Sequence, residues 1–153
     1  MQQDLLHPGA LLFANIERWR NKGRLYSKGA GHNYLVAEEF HDKNGSPMSF
    51  TWIVSFLQLN STVLLIPDVR RPCLVLFNRL NNQTLSLLGN YPQRGYADGD
   101  MPMFHHPQTL IFDVMTKDQI LLFDKGNNAL RGINTGNWSV DTLTVFNSSF
   151  VVK

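Results

Sequence analysis

The sequence predicts a mostly β protein: a lipocalin-like (calycin) antiparallel up-and-down β-barrel preceded by an N-terminal α-helix. Three observations lead there. Only one segment, near the N-terminus, carries helical periodicity. About eight or nine short apolar runs follow it, separated by turn residues. No helices alternate with those runs, so neighbouring strands are expected to be antiparallel. A meander of that length must hide its edges, and closure into a barrel hides them completely. An eight-stranded barrel also holds one small ligand. A two-sheet sandwich is the main rival.

The helix is expected over 8–22. Leu12, Ile16 and Trp19 share one helical face, and Trp19 is expected to pack on the barrel. Pro8 suits the first turn, and Gly23 suits a stop after Arg18, Arg20 and Lys22. Strands follow at 34–40 and 50–59, joined through Asp42-Lys43-Asn44-Gly45, a strong hairpin signal. In the second of these, Phe50, Trp52, Val54 and Phe56 alternate on one face. Further strands are expected at 62–66, ended by Pro67, at 73–79, and at 84–88 after an Asn81-Asn82 turn. An irregular stretch covers 89–107. A hairpin of 109–115 with 119–123, then strands at 138–146 and near 150–152, close the chain. No internal repeat or linker is visible.

The 153 residues suit one domain spanning 1–153, and with 43% of them apolar the core needs no staple. Charged residues make up 17% and the net charge is +2, which gives no strong general field for nucleic acid. No apolar run reaches the ~20 residues that cross a bilayer. Met-Gln-Gln-Asp lacks the order of a secretory leader, so a cytoplasmic location is expected, or plastid stroma in an alga. The lone Cys73 excludes an internal disulfide framework, and inside Cys73-Leu74-Val75-Leu76-Phe77 it reads as a small buried hydrophobe.

Catalytic and metal patterns are weak. His105-His106 lies near Asp98 and Asp100, but adjacent residues on an extended segment point apart, so no metal site is expected. No Gly-x-Ser-x-Gly elbow supports a serine nucleophile. The cluster Arg18, Arg20, Lys22, Arg24 and Lys28 is either a solvated element end or an anion site, with Arg131 as a second candidate.

Four segments, in order, carry a family resemblance. Phe13-Ala14-Asn15-Ile16-Glu17-Arg18-Trp19-Arg20 resembles the opening of the S-type phycobiliprotein lyases. Arg94-Gly95-Tyr96-Ala97-Asp98 is similar to their Arg-Gly-Tyr-Ala-Glu segment. Asp118-Gln119-Ile120-Leu121-Leu122-Phe123 is similar to their Glu-Arg-Ile-Trp-Phe strand, and Asn128-Ala129-Leu130-Arg131 to the Asn-Leu-Arg-Leu-Arg after it. The family Glu is Asp at 118 and the strand Trp is Leu121 here, which marks a divergent member.

The resemblance implies a bilin lyase. It would bind a free linear tetrapyrrole, phycoerythrobilin or phycocyanobilin, and deliver it to a cysteine of a phycobiliprotein subunit, expected to be phycoerythrin β, with no permanent cofactor. Trp19, Arg20, Arg24, Leu121 and Arg131 would hold the bilin, the arginines meeting its propionates. Asp118 would be the catalytic group, favouring the protonated pigment. Bilin and phycobiliprotein are then the partners, with a homodimer also expected and neither nucleic acid nor membrane. A second hypothesis is a non-catalytic carrier of a bilin or other small apolar ligand. A third is an accessory nucleic-acid or protein-binding module that uses the basic cluster.

Overall fold

The computed structural model describes residues 1–116 and 118–146. These form antiparallel sheets with almost no helix. The first sheet contains β1 (Gln2–Gln3), β2 (Leu11–Glu17), β3 (Lys22–Gly29) and β4 (His32–Ala37), and a small hairpin follows, β5 (Glu39–His41) with β6 (Pro47–Ser49). The second sheet contains β7 (Leu57–Gln58), β8 (Val63–Asp68), β9 (Cys73–Asn78) and β10 (Gln83–Leu88). The third contains β11 (Pro107–Phe112), β12 (Gln119–Asp124), β13 (Ala129–Asn134) and β14 (Val140–Val145). In each four-stranded sheet the neighbours follow chain order. Among the described residues no helix is long and apolar enough to cross a membrane. The strand expected near 150–152 lies outside the described residues.

The expected N-terminal helix is a hairpin instead. β2 pairs with β3 from Leu11↔Lys28 to Glu17↔Lys22. Leu12 and Ile16 are four apart, an even spacing, so they share a face in a strand as well as in a helix. Only the odd step to Trp19 distinguished the two, and Trp19 sits on the β2–β3 turn, 79% exposed and packed on no barrel. Asn21 closes that turn at a left-handed φ of 55°.

Among the described residues there is also no closed barrel. The ladder breaks after β4 and after β10, and the chain starts a new sheet each time. The sheets hide their faces by stacking. Leu12, Leu25 and Val36 of the first sheet meet Leu64, Ile66, Val75 and Phe77 of the second in one buried cluster. Leu65, Leu74 and Leu76, on the opposite face of the second sheet, meet Leu110, Ile120, Leu122 and Ile133 of the third in another. The central sheet is therefore covered on both sides, which is why β8 and β9 read as unbroken apolar runs. Each buried Leu or Ile contributes roughly 1.5–3 kcal/mol.

Two smaller expectations also change. Residues 50–56 form no strand, and Phe50, Ile53 and Phe56 are the buried apolar ones while Val54 is 40% exposed. Pro67 does not end its strand. It pairs with Leu74 and lies beyond Leu64 and Leu65, the residues that β7 covers, so its missing N–H costs no ladder bond there.

A repeat missed in the sequence is visible in the structure. Each second strand ends on an acid, Glu17, Asp68 or Asp124, and five residues later the third strand begins at Lys22, Cys73 or Ala129. Seven residues after the acid stand Arg24, Val75 and Arg131. Arg24 is 2.6 Å from Glu17, and Arg131 is 2.9 Å from Asp124. Four-stranded antiparallel meanders repeated along the chain are the architecture of β-propeller blades.

Buried Asp4 ties the first sheet to the second. Arg79 donates to its two oxygens at 2.5 and 3.0 Å, Leu6 N at 2.9 Å, and Ser27 Oγ to Oδ2. Burial alone would raise this carboxyl, but Arg79 and Ser27 outweigh it and hold it well below the usual range. A depressed folded pKa stabilises above the unfolded value of about 4, and that stability is lost as pH falls below it. Asp4→Asn should therefore cost about 3 kcal/mol at pH 7, because Arg79 is left buried and unpaired. Urea unfolding across pH should show the gap between parent and variant narrowing below about pH 4.

Candidate functional site

In a meander, the turn between the second and third strands lies at the same end as the connection to the next sheet. That end gathers the β2–β3, β8–β9 and β12–β13 turns with the connecting segments 50–56 and 89–106. Buried Asp68, at the end of β8, organises it. Its carboxylate accepts from Thr51 N (2.7 Å), Thr51 Oγ1 (2.5 Å), Trp52 N (3.2 Å), Arg70 N (3.1 Å) and Arg71 N (3.2 Å). Burial raises this carboxyl above its ordinary value although those donors oppose it. The result pins Trp52 beside the arginine turn. The Arg70 guanidinium lies 4.2 Å from the Trp52 ring centroid and that of Arg18 lies 5.6 Å away. Arg70 Nη1 also donates to Asn21 Oδ1 at 2.9 Å.

The third sheet completes the cleft. Asp124 accepts from His105 N at 2.9 Å, Lys125 N donates to His106 O at 3.1 Å, and Gly126 N donates to His105 O at 2.6 Å. A Cβ at Gly126 would collide with that oxygen. His106 is thereby held at a left-handed φ of 62°, a strained conformation of the kind found at binding sites. Trp52, Val69, Arg70, Arg94 and His106 line an open cleft of about 490 Å³. Burial lowers the His106 pKa, and the positive charges of Arg94, His105, Lys125 and Arg70 lower it further. The cleft is cationic, and one of its arginines, Arg70, is held against the Trp52 ring.

The residues singled out in the sequence do not converge. Trp19 is exposed and stacks under Arg20, whose guanidinium is 4.3 Å from its ring centroid. Arg24 is held by Glu17 and Glu38 at 2.6 and 3.2 Å. Leu121 is half-buried on β12 of the third sheet, and Asp118 is exposed on the β11–β12 turn. Arg131 lies on β13, where a loop was expected, and is wholly buried. It donates to Asp124 and Asp98, each at 2.9 Å, and to the Met103 and Ala97 carbonyls at 3.0 and 2.5 Å. Its guanidinium is engaged within the fold. Asp98 also accepts from Thr142, so it is not aimed at His105 or His106. Cys73 is buried, and its thiol pKa is raised by burial and by Asp68.

Sequence reasoning missed one cluster, Asp4, His7 and His32, whose ligating atoms lie within 4.8 Å of one another. It suits neither a metal nor a nucleophile. Both Asp4 oxygens already accept from Arg79. Ser27 has one hydroxyl proton and gives it to Asp4, so His32 Nε2, 2.8 Å away, must donate to Ser27 Oγ and cannot act as its base. Trp52 and Arg70 were also missed, and His106 was weighed only as a metal ligand, because only the fold brings 52, 70 and 106 together.

The observed class is a stack of blade-like antiparallel sheets with a cationic cleft at one end. No protein-family model matches the sequence, and no curated protein is similar to it. Among solved structures, an auxiliary nutrient binding protein from Bacteroides thetaiotaomicron VPI-5482 is similar, with a TM-score of 0.50 and 14% identity over 83% of this chain and 34% of that one. Hsv2 of Kluyveromyces lactis has a TM-score of 0.47 and 10% identity over 94% of this chain and 34% of that one. The chain spans about a third of the length of either protein.

In an NMR pH titration, His106 should lose its proton below the ordinary histidine value of about 6.5, and Arg94→Ala should move that midpoint upward. A midpoint unmoved by Arg94→Ala would mean that the cleft lacks the positive field described.

Proposed function

We propose that this chain is a non-catalytic binding module that takes an acidic peptide segment of a partner protein into the cleft at Trp52. The observation that carries this reading is the stacking of Arg70 and Arg18 on Trp52, with Arg94 and His106 in the same neighbourhood. Guanidiniums held against a ring lose less freedom when they bind, and each can meet a carboxylate with two parallel hydrogen bonds. The small net charge is no objection, because steering depends on where the charge sits. Single-stranded nucleic acid is the weaker occupant. It needs free aromatic faces for its bases, and the Trp52 ring is already engaged by arginine.

Fluorescence anisotropy with a labelled Glu-rich peptide tests this. Binding should weaken as salt rises, and Arg70→Ala should cost about 1.5–3 kcal/mol, the scale of a charge-assisted hydrogen bond. Unchanged affinity in Arg70→Ala, or tighter binding of single-stranded DNA than of peptide, would overturn the assignment.

The bilin-lyase reading rests on the four sequence segments alone. It asks for guanidiniums free to meet propionates and for an enclosed apolar slot. Its test is the visible spectrum of phycoerythrobilin mixed with the protein. A sharpened, red-shifted band that Asp118→Asn abolishes supports it, and an unchanged spectrum retires it.

A further inference from the structure

The cleft at Trp52 gathers cationic side chains that have donors to spare. Arg70 gives one nitrogen to Asn21 Oδ1 and makes no ion pair among the described residues. The Arg94 guanidinium makes neither a hydrogen bond nor an ion pair among them. His106 is fixed in the cleft wall by the backbone bonds of Lys125 and Gly126 to its own segment. No carboxylate lines the cleft. The two acids that organise it are engaged elsewhere. Asp68 takes backbone donors and the Thr51 hydroxyl, and Asp124 takes His105 N, Asn127 and Arg131. Neither pairs with the side chain of Arg70 or Arg94.

A ligand in this cleft meets three donors at once. A carboxylate has two oxygens in one plane and a single charge. A parallel pair of hydrogen bonds with one guanidinium takes both oxygens, and the second arginine and the histidine then face a group already neutralised. A phosphorylated side chain has three terminal oxygens and a charge of about −2 at neutral pH. Its oxygens point in three directions, so Arg70, Arg94 and His106 can each meet one. The charges balance as well. Two guanidiniums answer about two negative charges, and a neutral His106 still donates one ring N–H. A cleft of about 490 Å³ has room for the phosphate and the residues beside it. The Trp52 face is engaged by Arg70, which leaves no ring for a phosphotyrosine to stack on and favours the shorter serine or threonine.

We infer that the acidic segment bound here carries a phosphorylated serine or threonine, whose phosphate sits between Arg70, Arg94 and His106. The inference rests on the reading of the cleft as an acidic-peptide site and narrows it. The phosphate supplies specificity, and Arg18 beside Trp52 and Lys125 near His106 remain for flanking acids. One consequence is spectroscopic. Burial, and then the charges of Arg94, His105, Lys125 and Arg70, lower the His106 pKa, while Asp124 is the acid tied to the same segment through His105 N. A bound phosphate opposes the positive charges, so His106 keeps its proton to a higher pH in the complex than in the free protein.

Fluorescence anisotropy should compare two labelled Glu-rich peptides that differ only at a central serine, phosphorylated in one. The phosphopeptide should bind about tenfold tighter or more, the scale of an added charge-assisted hydrogen bond. Arg94→Ala should bring the ratio of the two affinities close to one. His106→Asn should lower it too, and asparagine tolerates the left-handed φ at that position. By NMR, the His106 titration midpoint should rise with the phosphopeptide and rise less with the serine peptide. Equal affinities for the two peptides, with Arg70→Ala still weakening both, overturn the phosphate and leave the acidic-peptide reading in place. A ratio that Arg94→Ala does not change also overturns it. If neither peptide binds, the acidic-peptide reading fails and this inference with it. Tighter binding to phosphatidylcholine vesicles containing a phosphatidylinositol phosphate than to the phosphopeptide would assign the phosphate to a lipid and overturn the inference. The comparison of the two peptides on the parent protein stands even if a variant fails to fold.

Discussion

The fold depends on the two-sided burial of the second sheet. β8 and β9 alternate Leu64, Ile66 and Val75 toward one neighbour with Leu65, Leu74 and Leu76 toward the other, and nearly all of them are fully buried. A strand with both faces apolar cannot rest on a solvated surface. It must recruit a sheet on each side, and the first and third sheets are what the chain supplies. A one-residue slip in either strand would exchange the sets facing the two clusters, so the register of this sheet sets the register of the stack.

The acid at the end of each second strand turns that stack into a site. All three acids stand five residues before the third strand, but they are satisfied differently. Glu17 and Asp124 meet an arginine seven residues on. Asp68 faces Val75 at that position and instead collects backbone donors from its own turn and from Thr51 and Trp52. The exception makes the cleft. With no arginine from β9 to answer it, Asp68 draws the 50–56 segment inward and sets Trp52 beside Arg70 and Arg18.

The β content, the antiparallel pairing and the irregular 89–107 stretch were legible because each rests on local chemistry: turn residues, period-two alternation and the lack of a second helical segment. The helix at 8–22 was misread because Leu12 and Ile16 satisfy both periods. β13 was invisible because Arg131 and Gly132 interrupt its apolar run, and Arg131 is buried only because Asp124, Asp98 and two carbonyls answer it. Such compensation is tertiary, so no window of sequence contains it. The repeat was hidden for a similar reason. Few residues are shared between the units beyond the acid and its spacing, since each face packs against different partners. The basic cluster was recognised as cationic, but its site also needs residues from 52, 70, 94 and 106.

The cleft and the stacked faces occupy different parts of the fold. The cleft lies at the end where turns and connecting segments meet, while the buried clusters lie between the flat sides of the sheets. The rigid part of the site is then what Asp68 and Asp124 hold, a pinned Trp52 and a strained His106, and neither depends on the outer faces. Arg18 is different. It belongs to the β2–β3 turn of the first sheet, and its guanidinium lies farther from the Trp52 ring centroid than that of Arg70, 5.6 Å against 4.2 Å. The arginine that the Asp68 turn carries is therefore the closer partner of the pinned ring, and the contact from the first sheet is the looser one.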